Sequence, residues 1–195
     1  MLNQIILASK SGVRKKILED NKILCSVEPA NVDEESIKEG LLKEKASPES
    51  ISKNLAELKA NKISQRRTGE LVLGADSIID LEGKIISKPS NRKEALKILQ
   101  DLNGKTHHLI SSACISRNGS MIWNYSDKAS LTMKQMSEKE LKAYLAKISD
   151  EALYAYNVYQ IEGEGQFLFS KIEGDKETIM GLPVKKIKDY LNNYK

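Results

Sequence analysis

The chain reads as a mixed-sheet α/β or α+β protein, and three features of the sequence say so. Short aliphatic runs alternate with helical patterns through the first half. Apolar and alternating stretches then crowd between residues 108 and 134. An amphipathic pattern closes the chain after Pro183, with Val184, Ile187 and Leu191 on one face. Elements in that order bury their apolar faces by layering helices on a sheet. At 195 residues and 40% hydrophobic content, the chain can bury a real core as one domain spanning 1–195, plain or lobed.

The first apolar run, residues 4–8, is short and aliphatic and reads as a buried strand. Ser9-Lys10-Ser11-Gly12 follows and opens a helical pattern carrying Ile17 and Leu18. Such a turn is either an ordinary capped helix start or an anion site, because free N–H groups and the helix dipole both favour a phosphate there. The acid-bearing stretch 28–35 reads as a loop leading to a short helix. Ser47-Pro48 marks a helix start, and Ile51, Leu55, Leu58 and Lys59 follow at helical spacing. Residues 71–75 form a second aliphatic strand with Asp76-Ser77 at its end, and 78–86 reads as a hairpin turning at Glu82-Gly83. Asn91 with Glu94 and Ser137 with Glu140 are capping-box patterns, and Gly104 stops the first of those helices. Asn118-Gly119 is a strong hairpin turn inside the two or three strands of 108–134. The glycine-rich stretch 154–182 reads as loops and short strands.

Charge and cysteine usage exclude several classes. Lys and Arg exceed Asp and Glu by only four, with both signs mixed, which describes a solvated surface better than a polyanion-binding one. The aromatics are scattered and offer no stacking platform for single strands. Cys25 and Cys114 are not part of a Cys-x-x-Cys pair and are expected as small buried core residues. The opening MLNQIILAS lacks the shape of a signal peptide, and no apolar run reaches the ~20 residues that span a bilayer. A soluble cytoplasmic protein is expected.

The candidates for chemistry are carboxylates and cations in suggestive places. Phosphoryl chemistry needs cations around phosphate oxygens, a metal held by one or two carboxylates, and a base for the attacking water. Glu34 is expected in a loop and Asp76 at the carboxyl end of a strand, where open α/β sheets gather functional groups. Arg14, Lys59 and Lys88 are the cations in comparable settings. Each has an ordinary alternative: a turn or cap for Asp76, a solvated surface charge for the lysines. His107 and His108 point to opposite faces of a strand, so at most one is functional and a structural hydrogen bond is the simpler role. No Ser-His-Asp or Cys-His arrangement, Walker loop or dinucleotide fingerprint is present.

Taken together and in order, these segments resemble the Maf family of nucleotide pyrophosphatases nearly end to end. Ile6 to Arg14 matches the family's Leu-Ala-Ser-x-Ser-Pro-Arg-Arg block, and Asp33-Glu34 its acidic loop. Ala56-Glu57-Leu58-Lys59-Ala60 matches its Ala-x-x-Lys-Ala helix, and Gly74-Ala75-Asp76-Ser77 its Gly-Ala-Asp-Thr. Lys88-Pro89, Glu94-Ala95 and the Leu99-x-x-Leu102-x-Gly104-x-x-His107 run match the central block. Tyr159-Gln160-Ile161-Glu162-Gly163, Ile172-Glu173-Gly174-Asp175 and Gly181-Leu182-Pro183 match the C-terminal signature. Any one block is weak; their shared order and spacing is specific.

The resemblance implies an elongated mixed sheet flanked by helices, with two lobes around a nucleotide cleft, like inosine triphosphate pyrophosphatases, and a homodimer. It implies hydrolysis of a nucleoside triphosphate to monophosphate and pyrophosphate with Mg2+ or Mn2+. By family analogy Asp76 accepts the proton from water, and Glu34 with Asp76 holds the metal. Ser9, Ser11, Arg14, Lys59 and Lys88 bind the triphosphate. Three departures bear on the pocket: Val13 stands where the family usually has Arg, Ser77 replaces Thr, and Glu162 stands where thymidine- and uridine-type members carry Gln. An acceptor-only carboxylate suits the donor edge of a guanine-type base. A guanine or 7-methylguanine nucleotide is therefore expected over dTTP or UTP. The competing reading is a nucleotide-sensing regulator of cell division with little catalysis. A nucleic-acid-binding module rests only on the basic balance, and neither stable nucleic-acid binding nor membrane association is expected.

Overall fold

The computed structural model describes residues 4–194. Its strands are β1 (Ile5–Leu7), β2 (Cys25–Val27), β3 (Leu71–Leu81), β4 (Lys84–Ile86), β5 (Thr106–Arg117), β6 (Ser120–Met133) and β7 (Phe169–Glu173). Its helices are α1 (Gly12–Asp20), α2 (Glu34–Lys43), α3 (Pro48–Ser64), α4 (Arg92–Leu102), α5 (Glu138–Ala146), α6 (Asp150–Tyr156), α7 (Lys176–Ile179) and α8 (Val184–Asn193). The seven strands join in the order β2-β1-β3-β5-β6-β7, with β4 on β3. β1 lies parallel to β2 and β3, whereas β3–β4 and β6–β7 are antiparallel. The expected mixed α/β architecture is therefore present. Among the described residues no helix is long and apolar enough to cross a membrane.

The chain forms two compact units: the residues up to Ile78 with Ile110–Lys128 and those from Asp175 on, and Ile79–Leu109 with Ala129–Gly174. In the first, β1 is buried on both faces, which is why its sequence is an unbroken apolar run. Ile5 and Leu7 join a cluster with Ile17 and Leu18 of α1 and Val184, Ile187 and Leu191 of α8. Ile6 and Ala8 join another with Ala56, Ala60 and Ile63 of α3. β3 divides likewise: Leu71, Leu73 and Ala75 on the first face, Val72 on the second. In the second unit, the Asn91 side chain caps α4 and a full capping box at Ser137–Glu140 starts α5. The Arg92 guanidinium donates to the carbonyls of Leu145 and Ile148 at 2.8 and 2.7 Å, satisfying orphan acceptors at the end of α5.

The Asn118-Gly119 turn forms as expected, with both residues at positive φ, 51° and 80°. Four expectations need correction. Asp76 is not at a strand end: β3 runs on through Leu81 because its far end pairs with β4. Parallel pairing with β1 stops at Leu73, so Asp76 lies just past the carboxyl end of β1, and the functional position survives although the strand boundary does not. Glu34 is the first residue of α2, behind the N-cap Asp33, rather than in a loop. Leu58 is exposed while Lys59 is buried. Cys25 is half-buried on the sheet's outermost strand β2, and only Cys114 is a core residue. The strand β2 and the helices α6 and α7 are additions that short, weakly patterned segments did not announce.

Candidate active site

The site begins with the two-residue period of β3. Asp76 shares its face with Val72 and Gly74 and so points towards α3; Ser77 shares its face with Ala75 and points towards α1. Gly74 sets the depth. A Cβ there would fall 2.0 Å from the Ala56 carbonyl oxygen and 2.7 Å from the Ala60 nitrogen, so only glycine lets α3 lie this close to the strand. That approach carries Lys59 down onto Asp76.

Lys59 Nζ donates to Asp76 Oδ1 at 2.8 Å and pairs with Glu34 Oε1 at 3.0 Å. Asp76 and Lys59 keep only 4% and 6% of their surface exposed. Ser52, one face and two turns before Lys59 on α3, donates its hydroxyl to the Asp76 carbonyl at 3.3 Å. The other carboxylate oxygen, Oδ2, is buried without a hydrogen-bond partner. Lys59 faces two carboxylates; leaving such a buried charge with no partner at all costs roughly 3–5 kcal/mol. Burial pushes the Glu34 carboxyl up, but the charge and hydrogen bond of Lys59, with help from Lys38 and Arg14, outweigh it and hold Glu34 below its ordinary pKa.

On the other face of β3, Ser9 Oγ accepts from the Ser11 N–H and from Arg14 Nη1, both at 3.2 Å. Ser11 caps α1, accepting from the Arg14 N–H at 3.3 Å. Arg14 also donates to the carbonyls of Ala75 and Gly181 and to Ser77 Oγ. Burial lowers its pKa, against the pull of Asp76 and Glu34. Val13 is half-buried against the α1–α8 core rather than presented to solvent.

The first unit thus brings together Ser9, Ser11, Arg14, Glu34, Lys59, Asp76 and Ser77. Lys88, after β4, and Glu162, in a turn after Tyr159, are exposed residues of the second unit. Both histidines make structural hydrogen bonds: His107 Nε2 with Tyr159 Oη at 2.8 Å, His108 Nδ1 with Ser130 Oγ at 3.0 Å. The sequence reading missed Ser52, Ser111, Thr178 and Gly181. For Ser52 a signal existed, since a serine and a lysine on the apolar stripe of α3 must have buried partners.

With this geometry in hand, comparison with known proteins decides the family. A model of the Maf-like protein family matches residues 4–194. The chain belongs to the Maf family. A Maf relative from Pelagibacter ubique (strain HTCC1062), named nucleoside triphosphate pyrophosphatase, is 76% identical over 98% of both chains. Another, from Bartonella quintana (strain Toulouse), is named 7-methyl-GTP pyrophosphatase and is 41% identical over 94% of this chain and 92% of its own. Among solved structures, a HAM1 protein from Coxiella burnetii covers 97% of this chain and 98% of its own with a TM-score of 0.51. At 13% identity that likeness speaks for the fold alone.

Proposed function

We propose that this member of the Maf family hydrolyses a nucleoside triphosphate to the monophosphate and pyrophosphate, with Asp76 taking the proton of the attacking water. The chain is a nucleoside triphosphate pyrophosphatase, an assignment supported by relatives of that name over its whole length. The observation that carries the role of Asp76 is its divided carboxylate: Oδ1 is held by Lys59, and Oδ2 is buried and unpartnered. A carboxylate fixed at one oxygen and unpartnered at the other has one oxygen left to take a proton. Water adds to the α-phosphorus, the bond from that phosphorus to the bridging oxygen breaks, and pyrophosphate leaves as the proton passes to Asp76.

Glu34 and Asp76 fit a magnesium or manganese ion. Such an ion takes one or two carboxylates and completes its shell with water and substrate phosphate. Two carboxylates facing Lys59, 3.0 and 2.8 Å from its Nζ, are the hard oxygen donors such an ion takes. The ion would supply charge neutralisation at the phosphate chain. Within the first unit Ser9, Ser11 and Lys59 bind the phosphates, their N–H and O–H groups and positive charge offsetting the anion. Glu162 bears on base choice, whereas Val13 packs against the α1–α8 core and Ser77 is held by Arg14. The carboxylate of Glu162 accepts from a guanine-type donor edge, and the Bartonella relative's name supports a 7-methylguanine nucleotide.

A triphosphate panel assayed with Mg2+ or Mn2+, with products resolved, tests the reading. Monophosphate plus pyrophosphate is expected, fastest with 7-methyl-GTP or GTP. Stepwise release of orthophosphate refutes the reaction, and a clear preference for dTTP and UTP refutes the base assignment alone.

A further inference from the structure

We infer that Arg14 is a positioning residue: its guanidinium locks the backbone on both sides of Asp76 and is not a principal ligand of the triphosphate. This rests on Asp76 being the base. A guanidinium carries five N–H donors in a fixed fork. Four hydrogen bonds already occupy it: Nε to the Gly181 carbonyl at 2.9 Å, Nη1 to Ser9 Oγ at 3.2 Å and to the Ala75 carbonyl at 3.0 Å, and Nη2 to Ser77 Oγ at 3.0 Å. A phosphate could take only the one remaining Nη2–H without breaking this set.

The acceptors identify the task. Ala75 and Ser77 are the two neighbours of Asp76 in β3, so Arg14 grips the strand on either side of the base. Because adjacent residues point to opposite faces, it does so from the face that Asp76 and Lys59 do not use. The grip extends beyond the strand. Ser77 Oγ lies 2.9 Å from Ser111 Oγ, Ser111 donates to the Thr178 carbonyl at 2.7 Å, and Thr178 Oγ1 donates to Asp127 at 2.7 Å. Gly181, at a φ of 106°, lies flat against the fork: a Cβ there would sit 3.1 Å from Ser77 Oγ and 3.5 Å from Arg14 Nε. Three chain segments, around residues 9, 76 and 181, therefore meet at one cation, and Ser77 ties in a fourth around Ser111. Lysine keeps the charge but is a point donor that cannot span these acceptors.

The test is Arg14→Lys, with Ser77→Ala removing a single arm of the fork. If Arg14 positions the base, Arg14→Lys lowers kcat about 10²-fold, the scale of a small misplacement of a reacting group. KM and the calorimetric affinity for inorganic pyrophosphate then change less than about threefold. Ser77→Ala shows the same split, more weakly, and the double variant is no slower than Arg14→Lys, because both act through one network. A loss that appears instead as a tenfold or greater rise in KM with equally weakened pyrophosphate binding overturns the inference, as do strictly additive effects on kcat. Should Arg14→Lys not fold, the split in Ser77→Ala decides alone. A wild-type chain that turns over no triphosphate sinks the functional reading and this inference with it. An active wild type whose Arg14→Lys defect lies in binding sinks the inference only.

Discussion

Among the described residues each of the two units buries one titratable group with an unpartnered atom, and they manage it in opposite ways. In the first, Asp76 is ion-paired with Lys59, which is shared with Glu34, and Oδ2 is left over. In the second, His107 is fully buried between Tyr159 and Phe169, with ring centroids 5.6 and 5.8 Å away, and Nδ1 is left over. Among the described residues no carboxylate answers the histidine. Burial, with a contribution from His108, lowers its pKa from 6.5 to about 4, so it is neutral at pH 7. One region meets the cost of a buried charge by pairing; the other removes the charge. Pairing keeps a reactive group available for chemistry, whereas neutralisation yields a packing element whose weakness is acid.

The most drastic way to break the comparison is Asp76→Asn. The amide keeps the shape and removes both the proton acceptor and one of the two anions around Lys59. Turnover should fall by about 10²–10⁴-fold, the range for losing a general base. Binding of a non-hydrolysable triphosphate should be largely kept, as should the fold, since Glu34 still faces Lys59 at 3.0 Å. Single-turnover kinetics beside calorimetry measures both. A drop smaller than tenfold would make Asp76 an ordinary buried polar residue, and equal loss of binding would favour the nucleotide-sensor reading.

What the sequence disclosed follows the same division. Capping patterns at Ser47, Asn91 and Ser137, the Asn118-Gly119 turn and the doubly buried β1 were legible because each is a local rule satisfied within a few residues. The site residues in β3 and α3 were legible as candidates, but their burial was not. Periodicity alone placed Leu58 and Lys59 side by side and could not say which faced inward, because the answer depends on the close passage of α3 over Gly74. The boundary of β3 was misplaced at Asp76 because its continuation depends on β4, a pairing set by tertiary structure. The partners Ser111, Thr178 and Gly181 lie far from Arg14 in sequence, and nothing local announces them. Lys88 is a candidate from its setting before Pro89 as well as from family resemblance, and Glu162 from the resemblance alone.

The second test sharpens the contrast through pH. His107 has a folded pKa near 4 against an ordinary 6.5, so the unfolded chain binds the extra proton between those values. Its contribution is fully present above about pH 6.5 and lost as pH falls towards 4. The difference of 2.5 units corresponds to about 3 kcal/mol. Urea unfolding at pH 7.5 and 4.5 should therefore show a wild-type loss that exceeds the loss in His107→Leu by about 2–3 kcal/mol, most of that total; carboxylates titrate in both backgrounds and cancel. Parallel pH dependence in the two proteins would mean that His107 is not held neutral.

The smallest expected effect isolates the one side-chain hydrogen bond that His107 makes among the described residues. Tyr159→Phe removes the hydroxyl 2.8 Å from Nε2 and leaves a ring of nearly the same shape in the edge-on contact with Phe169 at 4.9 Å. With Nδ1 already unpartnered, the imidazole is then buried with neither nitrogen satisfied, and the loss should be about 1–2 kcal/mol at pH 7.5. Combining it with His107→Leu should recover part of that loss, because removing both members of a buried polar pair leaves nothing unsatisfied. The readout is the urea midpoint at unchanged slope. If the two substitutions simply add, the bond contributes nothing, and His107 is held by its aromatic packing alone.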